Sequence, residues 1–370
     1  MSRAQQVRLA PILLLTAALV SCTQNRRGTQ PATPAGTQAA APAGTAAATP
    51  GGQPAPDGAK PDSAAQRLSG PYTHANLTIW LVHGPDRLPG ARFLTLQEAV
   101  ERKLCRVHET GDVNELLIEN LSKTHELFIQ AGDIVRGGKQ DRCIGVDVIV
   151  APASKLPLPS FCVEHGRWQR RGNEDPIFFT RSDKQVSGRA IRLQVQGAAD
   201  QGGVWEAVEM NQQQLSSNVG RDVRDAASSS SLLLSLENKA VAAATEPYLK
   251  ELTKLAAEHA DALGVVVAVN GELSTADVYA AHDLFTRLWP KLLESAAAEA
   301  VSLKDRPAAA PPQLAAVQAF LNAAQDAPGK ARRVSDRVDY VTHDADKAVR
   351  FRINDKDRPQ ASVHENVIRK

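Results

Sequence analysis

Val265-Val-Val-Ala-Val-Asn-Gly-Glu-Leu-Ser-Thr-Ala-Asp-Val-Tyr279 carries the strongest local signal in the chain. Two apolar runs flank Asn270-Gly271, a pair that tolerates the positive φ angles of a type I′ turn, so the stretch predicts a β-hairpin. Around it the pattern is helical. Residues 232–244 and 246–263 read as helices, with Pro247 in a first turn and Gly264 as a C-terminal glycine. Downstream, 282–303 reads as a helix kinked by Pro290. A Pro/Ala linker at 305–312, a short helix at 313–325 and polar strands at 333–342, 347–354 and 361–368 follow. Trp205 and Trp289 read as core anchors.

Toward the N-terminus the period changes. Leu77-Thr-Ile-Trp-Leu-Val82 reads as a strand, and Thr95-Leu-Gln-Glu98 as a capping box opening a short helix. Short strands are expected at 104–109, 114–119, 126–130, 143–150 and 156–164. In the fourth, Ile144, Val146, Val148 and Val150 alternate on one face, as in a half-buried strand. Pro157 and Pro159 lack ladder donors and mark the fifth as an edge. The expected class is α+β: a β-rich, sandwich- or barrel-like part (72–200), a helical part (228–325) and terminal strands (333–368), forming one domain over 68–370.

The first residues give an address. Arg3 and Arg8 precede an apolar run from Pro11 to Val20 and then Leu19-Val20-Ser21-Cys22. A basic start, a short apolar core and small residues before a cysteine describe a lipoprotein signal peptide over 1–21, with Cys22 as the lipidation site. The run is shorter than the roughly twenty residues needed to span a bilayer. Residues 22–67 are mostly Ala, Pro, Gly, Thr, Gln and Ser and read as a disordered tether. About forty such residues reach roughly 35 Å. Thr23 rather than Asp follows the cysteine, which in a Gram-negative cell favours the outer membrane. The expected partners are the membrane, through the lipid, and an envelope protein or a small anionic ligand.

Without residues 1–21 the 43 basic side chains fall to 41, against 41 acidic ones. A neutral chain argues against nucleic acid as a partner. Arg167 to Arg171 and Arg332-Arg333 read as solvated basic clusters. With Cys22 lipidated, Cys105, Cys143 and Cys162 remain, an odd set with no compact zinc spacing, and structural burial is the default reading. Nothing resembles H-E-x-x-H, a calcium loop or a P-loop, so neither metal nor cofactor is expected. Ser-His-Asp catalysis finds no support either, because no G-x-S-x-G elbow exists. His83, His108, His125, His259, His282, His343 and His364 lie scattered and read as surface or structural residues.

The densest polar chemistry lies in Gly132-Asp-Ile-Val-Arg-Gly-Gly-Lys-Gln-Asp-Arg142 and Cys162-Val-Glu-His-Gly-Arg-Trp168. The first follows a strand, and its glycines can bring backbone N–H groups to an anion. In the second, strand alternation sets Cys162 and Glu164 on one face and His165 on the other, which disfavours a Cys–His nucleophile pair. The candidate ligand-binding residues are Glu119, Asp133, Lys139, Gln140, Arg142, Glu164, Arg167 and Trp168.

These stretches, with Val113 to Asn120, Gly203-Val-Trp205, Gly264 to Glu272 and Trp289 to Leu293, resemble the ARG and Rhodanese-Phosphatase-superfamily-associated Protein domain, where ARG denotes ADP-ribosylglycohydrolase. The resemblance implies a mixed β-rich domain with a polar site at the shared positions and, by analogy, an association with ADP-ribose chemistry. Asp141 and His165 depart from its pattern, which has Asn and Gln there. Two functions follow. One is a tethered envelope domain that binds a ligand or partner. The other is a hydrolase of a phosphate- or ADP-ribose-bearing substrate, for which the candidate side chains must converge.

Overall fold

In the computed structural model, which describes residues 66–370 apart from Pro176, Asn270-Gly271 does turn a hairpin. Asn270 has φ 53° and Gly271 φ 80°, and Val269 pairs with Glu272 across the turn. The expected signal peptide, lipidated Cys22 and almost all of the tether lie outside the described residues. Among those described, no helix is long and apolar enough to cross a membrane.

The hairpin strands, Ala262–Val269 and Glu272–Tyr279, sit inside an eight-stranded antiparallel sheet. Its order is Arg67–His74, Leu77–His83, Ala262–Val269, Glu272–Tyr279, His364–Arg369, Ala348–Asp355, Val338–Asp344 and Gly329–Arg333. Both faces of the central strands Leu77–His83 and Ala262–Val269 are covered, which explains their unbroken apolar runs. Ile79, Leu81, Val265 and Val267 join Leu284, Leu288 and Leu292 of the helix His282–Ser302 in one core. Trp80, Val82, Val266 and Ala268 face the other way onto Val317, Phe320 and Leu321 of the helix Leu314–Leu321.

A second sheet closes into a six-stranded barrel: Lys155–Cys162, Glu115–Asn120, Cys105–Glu109, Phe178–Val186, Asp133–Gly137 and Arg142–Ile144. Leu116, Ile118, Val107, Val135, Ile144 and Leu158 share its apolar core. Phe93–Thr95, Glu126–Ile129 and Val148–Val150 form a third, small sheet. The capping box is present, Thr95 Oγ1 accepting from the Glu98 backbone and Glu98 accepting from the Thr95 backbone, ahead of the helix Leu96–Glu101.

The fold is therefore α+β with a β-rich N-terminal part, but several local expectations are corrected. The predicted strand 143–150 breaks into Arg142–Ile144 in the barrel and Val148–Val150 in the small sheet, and it is buried on both faces. Lys155–Cys162 is an edge only along its prolines: residues 155–159 have one ladder partner, while 160–162 close the barrel onto Arg142–Ile144. Gly264 ends no helix but lies in a central strand, where a side chain would strike the Asp277 carbonyl oxygen at 2.4 Å. Pro247 sits well inside the helix Lys239–Leu252 rather than in its first turn. Helices also begin earlier than expected, with Arg189–Arg192 and the long Gln201–Val219.

A fully buried ionic network joins these layers. Asp277, on the central strand, accepts from Arg192 at 2.6 Å, from the His364 ring at 3.1 Å and from Asn366 at 3.1 Å. The other His364 ring nitrogen lies 2.7 Å from Asp147, in the loop between barrel and small sheet, and the ring stacks on Tyr279 at 4.5 Å. Burial opposes the charge on His364, but Asp147 and Asp277 outweigh it and raise the imidazole from 6.5 to about 9.

A folded-state value above the unfolded one means stability that is complete below about pH 6.5 and lost as pH rises through about 9. At about 1.4 kcal/mol per unit, this contribution is on the order of 3 kcal/mol. The stability lead of wild type over His364→Gln, from urea midpoints, should accordingly narrow between pH 6.5 and 9. A pH-independent lead would refute the assignment.

Candidate functional site

The glycine-rich loop after Asp133–Gly137 does gather backbone N–H groups around anions, but the anions are the protein's own carboxylates. Gly137 N–H donates to Asp141 Oδ1 at 3.2 Å, Lys139 N–H to Glu109 Oε2 at 3.2 Å and Asp141 N–H to Glu164 Oε2 at 3.0 Å. Gly138, at φ 55°, permits this approach: a Cβ there would meet the Phe179 ring at 2.5 Å and Glu109 Oε2 at 2.7 Å.

Asp141 and Glu164 are both wholly buried, and two guanidinium groups hold them. Arg171 donates to Asp141 through both terminal nitrogens, at 3.0 and 3.1 Å, and to Glu164 at 3.3 Å. Arg167 donates from Nε to Glu164 at 2.6 Å. Ser231, which caps the helix Leu232–Leu236, donates to Asp141 at 3.0 Å. The two carboxyls shift in opposite directions. Burial, followed by the Glu164 charge, pushes Asp141 up. Burial also opposes the charge on Glu164, but hydrogen bonds from Arg167, Ser228 and the Asp141 backbone bring it below the usual range.

Arg142 extends the cluster inward. Itself wholly buried, it donates to Gln140 Oε1 at 3.3 Å and to Cys162 Sγ at 2.8 Å, and it lies 3.7 Å from Glu109. Gln140 in turn donates to the Glu164 carbonyl at 2.8 Å. All three described cysteines are free and buried, and burial pushes Cys105 and Cys143 up to about 12. Among the described residues no group of His, Cys, Asp and Glu is arranged to hold a metal ion.

Of the eight predicted residues, Gln140, Arg142, Glu164 and Arg167 come together. Lys139 is exposed, and Trp168 is 52% exposed on the following loop. Glu119 sits apart on the barrel wall, paired with His108 at 3.1 Å and Lys155 at 3.3 Å. Asp133 belongs to the interior, paired with Lys291 at 2.5 Å. Sequence reading missed Asp141, Glu109, Ser231 and Arg171. It also placed Arg167 and Arg171 on a solvated surface, whereas both are held against buried carboxylates.

Immediately beyond Glu164 the surface opens. A cavity of about 430 Å³ is lined by His165, Trp205, Glu206, Glu209, Gln212 and Arg224. The helix Gln201–Val219 supplies four of these residues on one face, at successive spacings of one, three and three residues. The His165 ring meets Trp205 edge-on at 4.5 Å. Ser230 fixes the His165 backbone on both sides, accepting from its N–H at 3.0 Å and donating to its carbonyl at 2.7 Å. Trp205 is thus a half-buried wall of this cavity rather than the expected core anchor.

Among known families, the profile of ARPP-1, the ARG and Rhodanese-Phosphatase-superfamily-associated Protein domain, matches residues 66–366. No curated protein and no solved structure matches the chain.

The buried ionic cluster predicts a structural rather than chemical penalty when it is opened. Arg171→Leu leaves Asp141 and Glu164 buried beside each other with one guanidinium fewer and should cost about 3–5 kcal/mol. The neighbouring exposed Arg170→Leu should stay within about 0.5 kcal/mol of wild type. Urea unfolding midpoints of the two variants make the comparison.

Proposed function

This chain belongs to the ARPP-1 family, and from that premise we propose that it is a ligand- or partner-binding envelope protein, anchored by lipid on Cys22, whose ligand seat is the cavity lined by His165 and Trp205. The observation that carries the reading is the contrast between two adjacent places. The carboxylates of the Asp141–Glu164 cluster are wholly buried and already engaged by guanidinium, hydroxyl and backbone donors. The neighbouring cavity, at about 430 Å³, lies in the range of small-molecule sites, roughly 300–1,000 Å³.

The cluster braces the base of that cavity. Glu164 and Ser231 are fixed in the interior, while the residues next to them, His165 and Ser230, line the opening. Trp205 offers a flat apolar wall. Glu206 and Glu209 face the single guanidinium of Arg224, so acids outnumber bases. Such a lining suits a polar ligand with hydroxyl or ammonium groups stacked on the indole better than a small anion. Hydrolysis of a phosphate- or ADP-ribose-bearing substrate has the weaker support: it rests on the family's association, and Glu164 is out of reach of solvent.

The test is a thermal-shift screen of glycans, peptidoglycan fragments and nucleotides on the full chain in detergent. A binder should raise the midpoint, and Trp205→Ala should remove the rise without lowering the unliganded midpoint by more than a few degrees. A rise that survives Trp205→Ala places the ligand elsewhere and defeats the proposal. For the anchor, mass spectrometry of the N-terminal peptide should find diacylglycerol on Cys22, and Cys22→Ala should leave the membrane fraction.

A further inference from the structure

Three neighbouring strands bring a serine, a histidine and an aspartate into line at one end of the large sheet. Ser69 lies on the edge strand Arg67–His74, His83 ends the next strand, Leu77–His83, and Asp261 immediately precedes the third, Ala262–Val269. Ser69 Oγ is 2.6 Å from His83 Nε2, and His83 Nδ1 is 2.8 Å from Asp261 Oδ1. We propose that Ser69, His83 and Asp261 form a nucleophilic relay that cleaves carboxylic esters, a site distinct from the His165–Trp205 cavity.

The surrounding hydrogen bonds favour one proton arrangement. Tyr72 donates its hydroxyl proton to Ser69 Oγ at 3.1 Å, leaving the Ser69 proton to point at His83 Nε2. His83 then carries its own proton on Nδ1 and donates it to Asp261. Arg67 holds the second oxygen of that carboxylate at 2.6 Å. The hydrogen bond from His83 is the main cause that lowers the Asp261 carboxyl to about 2, so it is ionised near neutral pH. His259 completes the surround, 3.0 Å from the Tyr72 hydroxyl and edge-on to the His83 ring at 5.4 Å. This is the tautomer in which an imidazole accepts a serine proton as general base.

The backbone sets the serine up. The ladder is irregular between Ser69 and Tyr72, and the register resumes beyond it with Tyr72 opposite Ile79. His83 is 1% exposed, whereas Ser69 is only partly buried on the outermost strand of the sheet. An edge strand turns alternate backbone N–H groups away from the sheet, where they can meet a developing oxyanion. The adjacent cation, Arg67, is already paired with Asp261, which favours an uncharged acyl group over a phosphate.

In the reaction, Ser69 Oγ bonds to the ester carbonyl carbon and its proton passes to His83 Nε2. The ester C–O bond then breaks, and the departing alcohol takes that proton. Water attacks the acyl carbon and gives a proton to His83; the C–Oγ bond then breaks, that proton returns from His83 to Ser69 Oγ, and the carboxylic acid leaves. Asp261 is a positioning residue, holding the imidazole rather than touching substrate.

Diisopropyl fluorophosphate on the full-length protein tests the relay without a known substrate. Ser69 Oγ displaces fluoride from phosphorus, His83 takes the proton, and peptide mapping locates the adduct. The expected result is one adduct on Ser69, formed at least a hundredfold faster than on the same serine in urea. His83→Gln should slow it at least tenfold, and Asp261→Asn likewise, with Asp261→Glu recovering part of the rate. Ser69→Ala should abolish the adduct at an unchanged thermal midpoint, so loss of label is not loss of fold. Labelling of Ser69 no faster than in urea, or a rate indifferent to His83→Gln in a folded variant, overturns the proposal.

Discussion

The carboxylate of Asp277 is the constraint on which the layers depend. It sits on a central strand of the large sheet with no access to water, and an ion in that position is tolerated only if donors surround it. Those donors come from different parts of the chain: Arg192 from the helix that follows the barrel, Asn366 and His364 from the adjoining strand, and Gln130 from the small sheet's side at 3.3 Å. His364 passes the link on to Asp147, which also accepts from the Ala131 backbone. An apolar interface would let the barrel slide over the sheet at small penalty. Directional bonds from four side chains on three segments to one carboxylate do not, because displacement of any one leaves a buried charge short of a partner.

Much of this fold was legible, and the reason is periodicity near a turn. Asn270-Gly271, the Thr95 capping box and the run from Leu77 each contain their own explanation within a few residues. What stayed illegible lacked such local closure. Phe178–Val186, whose sequence turns polar after Phe179, becomes a strand because the barrel needs a wall between Cys105–Glu109 and Asp133–Gly137. Residues 262–264 continue an apolar helical pattern, yet they pair with Leu77–His83, and tertiary pairing overrides local preference.

The same distinction divides the sites. Glu164 and Arg167 are three residues apart, and Gln140 and Arg142 two, so the polar cluster was half visible as a dense patch of sequence. Two further members, Glu109 and Ser231, are joined to it across 30 and 90 positions and left no mark. Ser69, His83 and Asp261 are harder still. The first two are ordinary strand residues, and the hydrogen bond from His83 to Asp261 spans 178 positions. A serine elbow would have announced itself by its glycines; three residues brought together at one end of an antiparallel sheet have no such signature.

Burial decides what each polar group is free to do. Asp141 and Glu164 look like a catalytic carboxylate pair by identity and by their opposed shifts, yet each is enclosed and already engaged by Arg171, with Arg167 on Glu164 and Ser231 on Asp141. Their work is to hold the loop 138–140 against the segment 164–171 and so to fix the floor of the adjoining cavity. Ser69 is the opposite case: an unremarkable residue by sequence, half exposed, with its hydroxyl aimed at an imidazole whose far side is anchored. Chemistry on a substrate needs the second combination, a reactive atom near the surface with a buried imidazole behind it, here oriented by the half-exposed Asp261. On that ground the proposed relay belongs at the end of the large sheet, and the dense polar patch is a brace for its own part of the fold.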